Sequence, residues 1–97
     1  MVDMPRLTLA ATKKVHTKIG VDPAVVSVRE LRKGMMVEFE HGRRGGKTNI
    51  TDDDLVMTAL IALAHLQEFP DYYERLEKME VQAKKYWSRR PKRDVFL

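Results

Sequence analysis

Residues 51–69, TDDDLVMTALIALAHLQEF, contain the longest apolar run of the chain, from Leu55 to Leu66. Three aspartates precede this run, and acidic side chains at such a point favour the start of a helix. Apolar residues cover most of the circumference that a helix would have here, which is typical of a helix buried on most sides. We therefore expect a central buried helix that runs to about Phe69, where Pro70 ends it.

The segments on either side predict two further principal helices. Residues 8–19 place Ala11, Val15 and Ile19 at helical spacing ahead of Gly20, and glycine commonly follows the last turn of a helix. Residues 72–88 carry an apolar stripe at positions 72, 76, 79, 83 and 86, with opposite charges four residues apart on the other face. Because Pro91 cannot continue a helix, we expect one helical domain over residues 1–88 and a basic tail over residues 89–97.

Residues 27–41 are harder to interpret. The stretch SVRE at 27–30 matches a capping box and predicts a short helix from Val28 to about Lys33 that stops at Gly34. Residues 35–41, MMVEFEH, alternate as a strand does, but the chain offers no second clear strand. We favour a helix there. The predicted fold is all-α, a small single-domain bundle of three principal helices and one or two short helices, with a short strand near residues 35–41 as the alternative.

Composition excludes several functions. The chain has 97 residues, a net charge of +4 and no cysteine, which excludes a disulfide framework, a cysteine-based zinc site and a thiol nucleophile. Residues 42–48, GRRGGKT, end like a phosphate-binding loop, but the glycine spacing is wrong and the chain is too short for the sheet that carries one. No nucleophile stands beside a base, so we expect a non-enzymatic protein. With no apolar run long enough for a membrane span and no secretory signal, we expect a cytoplasmic location without membrane contact.

Positive charge is concentrated near the C-terminus. Residues 84–93, KKYWSRRPKR, hold six basic residues, and without them the net charge would change from +4 to −2. Cations interleaved with aromatic rings can neutralise phosphates and stack on bases, and the basic residues of a predicted loop at 42–49 extend the patch. The alternative is a solvated tail in which Trp87 packs back on the core. The residues that we assign to a nucleic-acid or partner-protein site are Arg43, Arg44, Lys47, Lys84, Lys85, Trp87, Arg89, Arg90, Lys92 and Arg93.

A second candidate site combines histidines and glutamates. Glu38 and His41 are three residues apart, as are His65 and Glu68, so each pair would share one helix face. If the two segments are antiparallel helices, the pairs face each other, as ligands do in bundles that hold iron, manganese or zinc. A divalent metal at these four residues is one interpretation. A structural polar cluster that fixes helix packing is the interpretation we favour, and it requires no cofactor.

Residues 37–42 (VEFEHG), 48–54 (TNITDDD), 61–73 (IALAHLQEFPDYY) and 76–80 (LEKME) resemble an uncharacterised family of short proteins from bacteria, phages and other large DNA viruses. The similarity covers about residues 27–80. It implies a compact, mostly helical domain and a phage or viral setting, but no reaction.

The sequence as a whole predicts a small interaction module, cytoplasmic or in a virion, whose basic tail and loop contact a polyanion such as nucleic acid, or a partner protein. A metal-binding helical domain is the alternative function. A homodimer formed through residues 72–87 is a third option.

Overall fold

The structure, a computed structural model, describes residues 6–96. Its α-helices are α1 (Leu9–Ile19), α2 (Val28–Glu38), α3 (Leu55–Glu68) and α4 (Tyr72–Trp87). Two short 3-10 segments, Phe39–His41 and Arg43–Thr48, connect α2 to α3. The predicted all-α single domain is confirmed. The alternative of a strand near residues 35–41 is wrong, because α2 extends through Glu38 and the described part of the chain contains no strand.

Short polar side chains set the starts of the first three helices. Thr8, Ser27 and Asp54 each accept a hydrogen bond from the backbone N–H three residues ahead, at 2.8–3.1 Å. These bonds satisfy amides that have no partner within the helix. At the other end of α1, Gly20 adopts a left-handed conformation with φ 83° and closes the last turn.

Gly34 lies in the interior of α2, so the predicted end of a short helix there is wrong. A Cβ built at Gly34 would lie 2.7 Å from Cε2 of Tyr73. Glycine inside a helix costs about 1 kcal/mol relative to alanine. In this position it allows the aromatic ring from α4 to rest directly on the backbone of α2. The glycine therefore marks a close approach between two helices.

The core lies mainly between α2 and α3, with α1 packed against both. Leu31, Met35 and Phe39 fill it from the α2 side and are almost completely buried. Ala59 and Ala62 face them from α3, and these small side chains allow the helices to approach closely. Burying each large apolar side chain contributes about 1.5–3 kcal/mol, so this layer supplies much of the stability of the domain.

Only one side of α3 is buried. Met57 and Leu60, on the face opposite Ala59 and Ala62, are 45% and 49% exposed. The expectation of a helix buried on most sides is therefore wrong. Its apolar residues do surround the helix, but α1 and α2 cover one face and leave a second apolar face in contact with solvent.

Two long-range hydrogen bonds attach the segments on either side of α1. Arg32 Nε donates to the carbonyl oxygen of Leu7 at 2.7 Å. His16 is 4% exposed, and its Nε2 lies 2.7 Å from the carbonyl oxygen of Val26. Because a carbonyl oxygen can only accept, His16 carries a proton on Nε2 and donates it to Val26. Its role is structural.

The second half of α4 extends away from this core. Apart from half-buried Trp87, the described side chains from Glu77 onward are exposed. The radius of gyration is 14.8 Å, with extents of 44 × 26 × 20 Å, whereas a compact domain of about 100 residues has a radius of gyration of about 13 Å. We call residues 77–96 the arm. Within the described residues, no helix combines the length and apolar character needed to cross a membrane.

Replacing Gly34 with alanine tests the contact between α2 and α4. The added methyl group would displace the ring of Tyr73, at an overpacking cost of about 1–3 kcal/mol, offset by about 1 kcal/mol of helix propensity. We expect a net decrease in the free energy of unfolding, measured by urea denaturation.

The control is the same substitution in a Tyr73→Leu background. With no ring above Gly34, only the contact with Ala62 Cβ at 3.1 Å remains close. Gly34→Ala should therefore destabilise this background less than the wild type, and the double-mutant cycle should show coupling between the two positions. Equal destabilisation in both backgrounds would contradict the contact.

Candidate functional site

A buried hydrogen bond connects the end of α2 to the start of α4. Glu38 is 5% exposed and Tyr73 is 3% exposed, and the Tyr73 hydroxyl donates to Glu38 Oε2 at 2.8 Å. Burial raises the pKa of Tyr73 well above its ordinary value, and the hydrogen bond to Glu38 and the charge of that carboxylate raise it further. Tyr73 therefore stays protonated and serves as the donor that satisfies a buried carboxylate.

His65 joins the same cluster through its ring. It stacks on Tyr72 with ring centroids 4.3 Å apart and planes 9° apart, and it meets Tyr73 edge to face at 6.4 Å. Its Nδ1 is buried, has no hydrogen-bond partner within the described residues, and lies 3.9 Å from Glu68 Oε1. Stacking and packing hold this imidazole in place.

The four predicted metal ligands, all among the described residues, do not converge on one site. Glu38 bonds to Tyr73, and His41 Nε2 lies 3.5 Å from Glu40 Oε1. Between residues 6 and 96, no group of three or more histidine, aspartate or glutamate side chains is arranged to hold a metal ion. Glu38, His65 and the two tyrosines instead form a polar and aromatic cluster between α2, α3 and α4. A divalent metal stays a prediction that the geometry does not favour.

The protonation of Tyr73 predicts a loss of stability at high pH. Its pKa is raised in the folded protein above the ordinary value of 10.0, so above about pH 10 the unfolded chain releases this proton while the folded chain keeps it. The free energy of unfolding should therefore fall as pH rises, by at most about 1.4 kcal/mol per pH unit for this group.

Urea denaturation of the wild type and of Tyr73→Phe, from pH 8 to pH 11, measures this effect. The variant should be less stable at pH 8, since Glu38 loses its buried donor at a cost of about 1–3 kcal/mol. It should also show a shallower decline with pH. Parallel curves for the two proteins would exclude the assigned role of Tyr73.

Two contacts attach the basic loop, residues 42–49, to the aspartates that precede α3. Asp53 Oδ1 accepts a hydrogen bond from the backbone N–H of Arg43 at 3.1 Å, and Arg43 Nε lies 3.3 Å from Asp52 Oδ1. Both aspartates have positive φ angles, 50° and 63°, a conformation that aspartate adopts more readily than most residues. Part of the segment predicted as a loop forms a 3-10 helix, Arg43–Thr48, with a break at Gly46.

The tail turns back and meets this loop. Lys47 Nζ lies 5.2 Å from the centre of the Phe96 ring, a cation–π contact. Arg44 and Lys47 have no carboxylate within 4.0 Å in the described part of the chain, whereas Arg43 is paired with Asp52. The contact with Phe96 connects the predicted basic loop to the predicted basic tail.

A groove of about 770 Å³ runs between the last turns of α4 and the returning tail. Trp87 and Lys84 line it from the helix, and Lys92 and Arg93 line it from the tail. These three cations have no acidic partner within 4.0 Å among the described residues. We call this the Trp87 groove. Among the described residues, its lining is Glu80, Ala83, Lys84, Trp87, Ser88, Lys92 and Arg93.

Neighbouring groups hold Trp87 at the groove. The ring of Tyr86 contacts it at 4.7 Å between centroids, with planes 89° apart. Arg90 lies over the other aromatic ring, with its guanidinium 4.2 Å from the centre of Tyr86, and donates to the Tyr86 carbonyl oxygen at 2.8 Å. Arg90 thus holds the Tyr86 ring in place within the arm.

The structure brings together some of the predicted interaction residues. Lys84, Trp87, Lys92 and Arg93 share the groove, while Lys85 and Arg89 are exposed outside its lining. The contact of Phe96 with the loop and the place of Glu80 in the groove lining are not predicted by the sequence. No local pattern marks these placements, because they arise only when the tail folds back.

The apolar stripe of α4 is covered only at its beginning. Tyr72 and Leu76 are half-buried, but Met79 and Tyr86 are 57% and 52% exposed. The homodimer through this helix stays a prediction.

A small all-α domain with a basic arm is the class of protein that these features define. A family model described as protein of unknown function (DUF5661) matches residues 12–82, and the chain belongs to this family. The expectation of an uncharacterised domain family is therefore confirmed. The match includes the cluster of Glu38, His65, Tyr72 and Tyr73, and it ends before Trp87. No curated protein and no solved structure matches the chain.

Proposed function

We propose that this protein is a non-enzymatic nucleic-acid-binding module that contacts phosphates through its arm and its basic loop. The observation that carries the proposal is the Trp87 groove, where an aromatic ring lies among three cations without acidic partners in the described chain. Cations around an aromatic ring are a combination that proteins use to bind nucleic-acid strands.

Charge distribution supports a polyanionic ligand. Lys84, Lys92 and Arg93 line the Trp87 groove. Lys47, in the basic loop, contacts the ring of Phe96 in the tail. Each lysine or arginine that neutralises a phosphate releases a condensed counterion, so binding should weaken steeply as salt rises. Without base-specific contacts, the dissociation constant at physiological salt should be about 10⁻⁴–10⁻⁶ M.

The cellular setting belongs to the same proposal. A cytoplasmic protein meets nucleic acid directly, and a virion protein of a phage meets a packaged genome. The resemblance to a family that includes phage proteins is what suggests the second setting. An acidic partner protein is the competing ligand, and it would use the same exposed cations.

Removing the groove cations tests the proposal. The triple variant Lys84→Ala, Lys92→Ala, Arg93→Ala should bind a labelled 20-nucleotide oligomer at least tenfold more weakly in 50 mM salt. Its slope of log K against log salt should be shallower by about 2, since each lost phosphate contact contributes about 0.7 for a single strand. Fluorescence anisotropy measures both quantities.

The matched control removes the same charge from another surface. Lys13, Lys14 and Lys18 lie together on an exposed face of α1, and their replacement by alanine should change affinity by less than the groove variant does. Equal losses of affinity in the two triple variants would mean that net charge, and not the groove, accounts for the binding, which would contradict the proposal. Absence of binding to both DNA and RNA at low salt would overturn the proposal.

A further inference from the structure

We infer that the Trp87 groove accepts an unpaired base and that the arm therefore prefers single-stranded over double-stranded nucleic acid. This inference rests on the proposed function and names the form of nucleic acid that the groove takes. It depends on the placement of one aromatic ring, on the charges around it and on the size of the groove.

Trp87 presents an aromatic surface at the groove. It lies in the last turn of α4, is half-buried, and is braced by the Tyr86 ring at 4.7 Å. Stacking of a base on an aromatic side chain contributes about 1–3 kcal/mol. The groove volume of about 770 Å³ is within the range of about 300–1,000 Å³ typical of small-molecule sites.

The charges of the groove fit a nucleotide with its phosphates. Lys84, Lys92 and Arg93 can neutralise phosphates on either side of a base that stacks on Trp87. The C-terminus of α4 carries a partial negative charge that opposes an anion, and Lys84 and Lys85 in the last turn offset it. The helix end is therefore compatible with a bound phosphate.

Glu80 restricts how a nucleotide can lie in the groove. Of the lining residues that the structure describes, it alone carries a carboxylate, so it repels phosphate and leaves a neutral base as the group that can approach it. A base in a duplex is stacked on both faces and cannot enter such a groove. A base in a single strand can rotate out onto Trp87, which is the physical basis of the preference.

Electrostatics alone would give the opposite preference. Duplex DNA carries one charge per about 1.7 Å of its axis and condenses more counterions than a single strand does. A surface that only neutralises phosphates therefore binds a duplex at least as tightly. Tighter binding of the single strand is thus a specific sign of base stacking.

The chain contains one tryptophan, Trp87, so intrinsic tryptophan fluorescence reports on the groove. We would titrate the wild-type protein with a 20-nucleotide oligothymidine, a 20-base-pair duplex and heparin, which is a polyanion without bases. The oligothymidine should quench the emission strongly, and it should bind about tenfold more tightly than the duplex if one base stacks. Heparin should bind without comparable quenching.

Two substitutions of the ring complete the test, with binding followed by anisotropy of labelled oligomers. Trp87→Leu should abolish the preference for single strands while the salt-dependent binding of the duplex persists. Trp87→Phe should keep part of the preference, since it retains a smaller aromatic face. Circular dichroism and the urea midpoint establish that both variants fold; if Trp87→Leu does not, the Phe variant and the wild-type quenching decide the result.

The outcomes separate this inference from the proposed function. Salt-dependent binding with a duplex preference, or with equal quenching by heparin, would overturn the stacked base and leave phosphate binding intact. An unchanged single-strand preference in Trp87→Leu would do the same. If none of the three polyanions binds at low salt, the inference and the proposed function both fail.

Discussion

The contact of Tyr73 with α2 determines where the arm lies. The Tyr73 ring rests on Gly34, its hydroxyl satisfies the carboxylate of Glu38, and it is the one fully buried residue in the described part of α4. The groove residues of α4 are continuous with this anchor along a single helix. A helix is stiff over 16 residues, so a shift of the ring at Gly34 would move Lys84 and Trp87 with it.

Local signals in the sequence were sufficient for most of the fold. The capping box at Ser27, the glycine after α1 and the helical spacing of apolar residues depend on neighbours within one or two turns. The extent of α2 was not predictable in this way. A glycine that ends a helix and a glycine that admits a ring look identical in sequence, and Tyr73, which distinguishes them, lies 39 residues further along. The same limit applies to α3, since its composition does not reveal which faces other helices cover.

The candidate sites, too, are predictable from the sequence only in part. Composition was enough to identify the basic run at residues 84–93, because charge density is a local property. The groove and the contact of Lys47 with Phe96 arise from a reversal of the tail, which no periodicity describes. The three-residue spacings of Glu38 and His41 and of His65 and Glu68 predict a polar cluster between helices. They do not predict which groups bond to each other. Glu38 has Tyr73 as a hydrogen-bond donor, a pairing between helices that spacing within a helix cannot predict.

The exposed half of α4 has a consequence for local dynamics. Beyond Leu76, α4 packs little against the rest of the fold, so its backbone hydrogen bonds are exposed to solvent. An isolated helix of this length is only marginally stable in water. Opening of the arm therefore requires much less free energy than opening of the layer between α2 and α3. Its amide hydrogens should exchange with solvent while the body stays folded. The arm can then gain order when a ligand occupies it, so occupancy and helicity in this segment are thermodynamically linked.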